Sequence, residues 1–349
     1  MRILLLPIAF LYAIVLKIRH KLYDWHLLKS KRFDQPLICV GNLSLGGTGK
    51  TPTVEYLIRL LKDDFRVATL SRGYGRKTKG FVLAEKSSSY ADLGDEPLQY
   101  AKKFPNLQVA VDENRVEGVE RLLENANPPE VILLDDAFQH RRINAGLNIL
   151  LTEYQHLYSD DFLFPAGTLR DVKSAARRAN LIVVSKSPET LSEQERQQII
   201  QKLKPTERQK VYFSYLEYAS LQPLNATAEQ TDAEAADSVL LFCGIANPKP
   251  LIDRLKSQFK QVEVVTFADH HAYTENDIKN ILKRFETMNG KQKIIVTTEK
   301  DAARLTNSPY FCQFESAPLY ALPVGVRFHD EAKFNKEILN YVRQNSYHG

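Results

Sequence analysis

The run from Pro36 to Thr51, Pro-Leu-Ile-Cys-Val-Gly-Asn-Leu-Ser-Leu-Gly-Gly-Thr-Gly-Lys-Thr, constrains the fold more than any other stretch of the chain. An apolar strand, Leu37 to Val40, enters a glycine-rich turn that ends in Gly49-Lys50-Thr51; Val54, Leu57, Ile58 and Leu61 then recur at a helical period. Glycines let successive backbone N–H groups face one point, lysine adds a mobile positive charge, and a hydroxyl at the mouth of a helix can ligate magnesium. Ser44, Leu45, Gly46, Gly47, Thr48, Gly49, Lys50 and Thr51 are therefore expected to cradle the phosphates of a nucleoside triphosphate. Position 44, glycine in the common form of the motif, is serine here.

A second apolar run, Val131-Ile-Leu-Leu, ends in Asp135-Asp136, which puts two carboxylates at the carboxyl edge of a sheet, where open α/β sheets bind ligands. It has the form of a Walker B element, and one of the pair is expected to hold magnesium opposite Thr51. Strand-terminal acids also cap helices, the plainer reading of the same pair. Phe138-Gln139-His140-Arg141-Arg142 follows at once, bringing an amide, a potential base and two cations, though Arg142 reads best as a solvated charge. Ser71-Arg-Gly-Tyr-Gly-Arg76 suits an anionic or sugar-bearing ligand, and Gly94-Asp-Glu-Pro97 could equally be a helix start. A phosphotransferase needs a carboxylate for the acceptor proton; Asp95, Glu96, Asp112 and Glu113 all remain open on residue chemistry alone.

Short apolar runs recur between helical stretches at residues 66–70, 107–111, 147–151 and 181–184, the rhythm of a parallel sheet with crossover helices. A small polar stretch, 224–237, then precedes a fresh strand at Val239 to Cys243 and further α/β alternation. The expected organisation is an N-terminal helical segment over 1–32, a phosphate-binding domain over 33–222 and a smaller α/β domain over 223–349. Three scattered cysteines without a C-x-x-C pair suggest neither a disulfide framework nor a zinc site, and point to a reducing compartment.

The net charge of +5 is unevenly placed: Arg2, Lys17, Arg19, Lys21, Lys29, Lys31 and Arg32 face Asp24 alone in the first 32 residues, leaving the remainder near neutral. That remainder lacks the basic footprint of a nucleic-acid binder. The same segment opens with the uncharged run Ile3 to Leu16, shorter than the roughly 20 apolar residues a membrane-spanning helix needs. With its basic flank and with Tyr23 and Trp25 as anchors, it is expected to lie in a membrane interface. Burial as a core helix is the competing reading; a cleaved leader is disfavoured because no Ala-x-Ala site follows.

Taken in order, Gly41-Asn-Leu-Ser-Leu-Gly-Gly-Thr-Gly-Lys-Thr-Pro52, Ser71-Arg-Gly-Tyr-Gly75, Gly94-Asp-Glu-Pro97, Asp135-Asp-Ala-Phe-Gln-His-Arg141, Phe164-Pro-Ala-Gly-Thr-Leu-Arg170, Asp269-His270 and Thr297-Thr-Glu-Lys-Asp-Ala302 resemble the tetraacyldisaccharide 4′-kinase family of lipid A synthesis. The resemblance spans nearly the whole chain. It implies two α/β/α domains of P-loop or Rossmann-like type with mainly parallel sheets, a two-stranded linker and a membrane-associating N-terminal helix. It also implies ATP with Mg2+, transfer of the γ-phosphate to the 4′-hydroxyl of tetraacyldisaccharide 1-phosphate to give lipid IVA, and work at the cytoplasmic face of an inner membrane. No protein partner or nucleic acid is implied, and a monomer is expected.

By motif position the resemblance makes Asp95 the acid-base residue, His270 its partner and Lys50 the phosphate ligand, with metal at Thr51 and Asp135 or Asp136. Asn42, Arg72, Tyr74, Glu96, Arg115, Gln139 and Arg170 become substrate-side candidates, along with the Glu299-Lys300 pair. Two positions depart from many relatives, Ala137 for glycine and Asp171 for glutamate. A partitioning-type ATP switch is a rival reading, but Leu45 stands where such loops carry a further lysine. A soluble kinase for a small metabolite, with the N-terminal segment buried, is the other rival.

Overall fold

The computed structural model describes residues 2–269, 271–306 and 308–346. They divide into two compact units: one of residues 2–93, 100–217 and 325–346, the other of 94–99, 218–269, 271–306 and 308–324. The strands are β1 (Leu37–Asn42), β2 (Val67–Ser71), β3 (Val82–Leu83), β4 (Gln108–Val111), β5 (Val131–Asp135), β6 (Leu147–Glu153), β7 (Leu181–Ser185), β8 (Lys210–Tyr218), β9 (Gln222–Pro223), β10 (Ser238–Cys243), β11 (Gln261–Thr266), β12 (Lys293–Thr298), β13 (Leu319–Leu322) and β14 (Val324–Phe328). The α-helices are α1 (Arg2–Asp24), α2 (Lys50–Leu61), α3 (Tyr90–Leu93), α4 (Asp95–Lys103), α5 (Arg115–Leu123), α6 (Glu193–Leu203), α7 (Ala226–Glu229), α8 (Lys249–Gln258), α9 (Glu275–Thr287), α10 (Glu299–Leu305) and α11 (Glu331–Asn345).

In the first unit the sheet order is β14-β8-β7-β6-β1-β5-β2-β4-β3. β1 pairs in parallel with β5 on one side and β6 on the other, so it sits where the chain, having built one half of the sheet, crosses to build the other. That is a topological switch point, the place where ligands bind beyond the carboxyl ends of the strands. Every residue of β1, β2, β5 and β7 is buried, as strands covered on both faces must be. Along β1 the side chains alternate, Leu37 and Cys39 entering one apolar layer and Ile38 and Val40 the other.

The expected domain limits need correcting at three places: residues 94–99 and 218–222 belong to the second unit, and residues 325–346 belong to the first unit, not to a C-terminal domain. β8 leads out to the second unit and β14 returns beside it in the first sheet, after which Phe334, Ile338 and Val342 of α11 join the apolar layer that holds Val54, Leu57, Ile58 and Leu61 of α2. Helix α1 packs through a narrow stripe, Ala9, Leu16, His20 and Tyr23, and Leu16 enters the core beside Leu37 and Cys39. Its other faces are open, with Leu4 78%, Phe10 66%, Leu11 64% and Val15 61% exposed, so α1 is not an ordinary core helix. Among the described residues no helix is long and apolar enough to cross a membrane.

The second unit is a five-stranded sheet ordered β11-β10-β12-β13-β9, parallel except for β9, which runs antiparallel to β13. Its apolar layers center on Val239, Leu241 and Val296 on one side and Leu240, Phe242 and Ile295 on the other. Thr298 starts α10 by accepting the Asp301 N–H, and Thr274 starts α9 with a reciprocal capping box to Asp277. The division between units falls within α4, whose first turn belongs to the second. All three cysteines are free thiols.

Candidate active site

The phosphate loop leaves β1 as the sequence requires. Gly46 and Gly49 have φ of +103° and +84°, and nothing lies within 4 Å of a Cβ built at Gly46, so glycine is needed there for its backbone and not for space. The loop is fastened on several sides. Asn42 Nδ2 donates to Thr48 Oγ1 at 2.8 Å, Ser185 Oγ donates to the Thr48 carbonyl at 2.8 Å, and the Leu45 N–H donates to the Thr168 carbonyl at 2.7 Å. Ser44 bridges to Leu169, so the serine that breaks the common motif is a point where a second segment clips onto the loop. Lys186 also binds the Gly47 carbonyl and pairs with Glu153, a contribution signalled in the sequence only by its position after a strand.

Beside this loop, Asp135 ends β5 and Asp136 follows in a left-handed conformation, φ 51°, which is strained for a residue with a side chain. Arg170 clamps it: Nη1 donates to Asp136 Oδ2 at 2.9 Å and Nη2 to both Asp136 Oδ1 and Asn42 Oδ1. Lys50 Nζ lies 3.8 Å from Asp136 Oδ1. Burial works to raise the Asp136 carboxyl, but the Arg170 hydrogen bonds and the Lys50 charge outweigh it and hold the group below the ordinary value, hence ionised. Asp135 accepts from the buried Tyr100 hydroxyl at 3.1 Å. Gln139 Nε2 donates to the Asn42 carbonyl at 2.8 Å, so Asn42, Gln139 and Arg170 form one network behind the loop.

Arg115 opens α5 and is only 2% exposed. Its Nη1 donates to the Asp112 carbonyl at 2.6 Å, whereas Nε and Nη2 have no partner within the described protein. Buried donors of this kind are costly unless something binds them. Burial, countered by the charges of Asp135 and Asp136, brings Arg115 down to about 10. Burial followed by the charges of Arg115 and Arg72 pushes His140 down to about 4, so its imidazole is neutral at physiological pH. Arg72 and Tyr74 are exposed on the loop after β2, while Arg76 is not a ligand-facing cation: it ties that loop down through Glu113 at 2.8 Å and the Gly80 carbonyl.

The second unit carries a separate cluster. Asp95, 5% exposed, is gripped by both arms of the Arg304 guanidinium, with Nε donating to Oδ1 at 2.8 Å and Nη2 to Oδ2. Arg304 Nη1 also donates to the fully buried Asp301 at 3.1 Å. One turn earlier on α10, Lys300 pairs with Glu96 at 2.8 Å, so two consecutive acids meet two cations spaced four apart on one helix face. Arg304 and Asp301 were absent from the sequence-derived candidates; the four-residue spacing was the available signal, but nothing in the sequence joins α10 to α4. Glu299 accepts from the Val324 N–H at 3.3 Å and so closes the base of β14. His270 lies outside the described residues; its neighbour His271 is 3.0 Å from Asp277, the partner of Thr274 in the α9 capping box, and stacks on Phe267.

The donor chemistry fits magnesium. The Thr51 hydroxyl and the carboxylates of Asp135 and Asp136 are hard oxygen ligands, and among the described residues no group of three or more His, Cys, Asp or Glu could hold a metal unaided. Few protein ligands plus nucleotide phosphates is how magnesium is ordinarily bound. A parallel α/β sheet with this loop, a lysine at its end and paired acids on the neighbouring strand defines a P-loop phosphotransferase. The chain belongs to the Tetraacyldisaccharide-1-P 4′-kinase (LpxK) family, whose model matches residues 1–343. A Tetraacyldisaccharide 4′-kinase of Flavobacterium johnsoniae is 46% identical over 347 residues, covering 99% of this chain and 98% of the relative. One of Bacteroides thetaiotaomicron is 43% identical over 355 residues, 98% and 93% respectively. The crystal structure of LpxK from Aquifex aeolicus in complex with ATP superposes with a TM-score of 0.74 at 31% identity, covering 99% of each chain.

Proposed function

We infer that the chain, as a kinase of this family, transfers the γ-phosphoryl group of ATP to the 4′-hydroxyl of a tetraacyldisaccharide 1-phosphate, giving lipid IVA. The observation that carries the reading is the Lys50–Asp136–Arg170–Asn42 network around the phosphate loop, which presents a cation and ionised oxygen ligands at a sheet switch point. Lys50 and the N–H groups of residues 44–51 hold the β- and γ-phosphates; Thr51 with Asp135 or Asp136 holds magnesium. When bound, that ion offsets charge on the transferring group. Arg72 and the unpartnered donors of Arg115 supply positive charge for an anionic substrate.

In this reading Asp95 takes the proton of the 4′-hydroxyl as that oxygen bonds to the γ-phosphorus and the bond to the bridging oxygen of ADP breaks. Arg304 fixes the carboxylate plane; a carboxylate has about four acceptor sites, so a bidentate guanidinium does not exhaust it. His270 tunes Asp95. A four-chain lipid stays in the membrane, and the open apolar face of α1, flanked by basic residues, brings the enzyme to the anionic cytoplasmic surface of the inner membrane as a peripheral monomer. The test is transfer of labelled γ-phosphate to a tetraacyldisaccharide 1-phosphate in mixed micelles, with Asp95→Ala alongside. Magnesium-dependent 4′ labelling lost in the variant supports the reading; labelling that survives Asp95→Ala removes Asp95 from the role.

A further inference from the structure

Helix α1 does more than offer an apolar face, because its packed side is hydrogen-bonded to the two segments that carry the phosphate-site side chains. Tyr12 Oη donates to the Arg170 carbonyl at 3.2 Å, and Arg19 Nη2 to the Gln139 carbonyl at 3.0 Å. Arg141, two residues beyond Gln139, returns two bonds to the helix, Nη1 to the His20 carbonyl at 2.9 Å and Nη2 to Asp24 at 2.8 Å. The buried link is His20, whose Nε2 lies 2.6 Å from Oδ1 of Asp171, a residue 1% exposed.

The bonding pattern assigns the imidazole. Arg141 Nη1, which can only donate, is 3.4 Å from Nδ1, so Nδ1 accepts and the proton sits on Nε2, where it is donated to Asp171. Asp171 in turn accepts from Arg178 Nη2 at 3.3 Å, and Arg178 Nη1 donates to the Phe138 carbonyl at 2.8 Å while its guanidinium lies over the Phe138 ring. The shorter side chain at position 171 therefore faces inward to His20 and Arg178. Its chain neighbour Arg170 is the clamp on Asp136 and Asn42.

We propose that His20 is a positioning residue for phosphoryl transfer: through Asp171 it makes the docking of α1 part of the geometry of Arg170 and Asp136, so that the membrane helix and the phosphate site move as one body. The consequence is that loosening α1 lowers turnover even where substrate delivery is unimpaired. The proposal rests on the reading of Lys50, Thr51 and Asp136 as the phosphate and metal site, and Lys50→Ala tests that reading separately.

The experiment compares full-length wild type, His20→Ala and His20→Gln in kcat and KM for ATP and for lipid acceptor in mixed micelles, with liposome partition and thermal melting alongside. A glutamine amide can place a donor close to the imidazole Nε2. His20→Ala is expected to lose about 10-fold or more in kcat, since small displacements of catalytic groups are expensive, with partition and lipid KM within about two-fold of wild type. His20→Gln should recover most of the loss. An unchanged kcat in folded His20→Ala, a loss that tracks liposome partition, or a Gln variant as impaired as Ala would each overturn the proposal. Should His20→Ala not fold, Tyr12→Phe with Arg19→Met removes the two bonds to the Arg170 and Gln139 carbonyls; a several-fold fall in kcat supports the coupling and an unchanged value overturns it. Lys50→Ala with normal turnover would instead sink the phosphate-site reading.

Discussion

The phosphate loop of the first unit and the Asp95 cluster of the second hold their charges by different means. The loop is a backbone device: two left-handed glycines, a strand behind it and a helix ahead of it set its shape, and side chains such as Asn42 and Ser185 only fasten it. The Asp95 cluster is a side-chain device, in which the first turn of α4 is pinned to α10 by Arg304 and Lys300. A backbone device tolerates loss of one fastener, because the main chain still points its N–H groups inward. A buried ion pair does not, since removing one partner strands the other; such losses typically cost about 3–5 kcal/mol.

The largest effects should separate the two regions by kinetic signature. Asp95→Ala is expected to reduce kcat by at least about 100-fold with ATP affinity nearly unchanged, the loss of a general base. Lys50→Ala should reduce kcat comparably and weaken ATP binding as well, because its ammonium binds the phosphates in the ground state and binds more strongly as charge shifts in the transition state. Nucleotide titration beside initial rates checks both. Identical signatures would dissolve the distinction between a phosphate-holding and a proton-accepting region.

Next in size is Arg304→Met. With Asp95 and Asp301 left buried beside an apolar chain, melting should report a stability loss on the order of 3 kcal/mol, with turnover falling about 10-fold or more. Arg304→Lys keeps the charge but not the planar fork, and should recover stability better than rate. Equal recovery of both would mean that Arg304 only neutralises Asp95 and does not orient it.

The same contrast recurs within α1. Ile8 and Leu11 are exposed while Leu16 is buried in the core. Ile8→Glu with Leu11→Glu should cut partition onto anionic liposomes on the order of 100-fold, from two apolar side chains at about 1.5 kcal/mol or more each, with melting unchanged. Leu16→Ala should lower the melting temperature through a core cavity, at about 2–5 kcal/mol. A double glutamate variant that still binds liposomes would remove α1 from the membrane reading.

What the sequence made legible follows the same division. Local patterns write backbone devices, so Leu37–Val40, the glycines and Asp135-Asp136 were readable, and most strands fell within a residue or two of their expected limits. Ser44 looked like a departure and is the bridge to Leu169. Side-chain devices depend on which distant segments meet, and amphipathic helices such as α10 and α11 carry no address. The Asp95–Arg304 pair spans 209 residues of sequence, and the return of β14 and α11 to the first unit depends on apolar faces that would suit either core. Arg170 and Gln139, expected on the substrate side, also bond to Asp136 and to the Asn42 carbonyl, contacts between distant segments that no local pattern foretells.

The smallest effect concerns acid, and it tests the two regions with one titration. Burial works to raise both Glu96 and Asp136, yet each is held below its ordinary value, Glu96 by Lys300 and Asp136 by Arg170 with Lys50. For a depressed carboxyl the unfolded chain binds the proton first, so its stabilisation is complete above the ordinary values, 4.5 for Glu96 and 3.8 for Asp136, and is lost as pH falls through the lower folded value. Lys300→Met removes the main cation acting on Glu96 and leaves the burial, so its folded value should rise and the stabilisation should fail at higher pH. Arg170→Met still leaves Asp136 near Lys50, so its shift should be smaller. Melting curves from about pH 6 down to 3 should therefore show a higher acid-unfolding midpoint in both variants, and the larger displacement in Lys300→Met. The reverse order would mean that the loop region depends on a single ion pair more than the Asp95 region does, and that its network is less redundant than its contacts indicate.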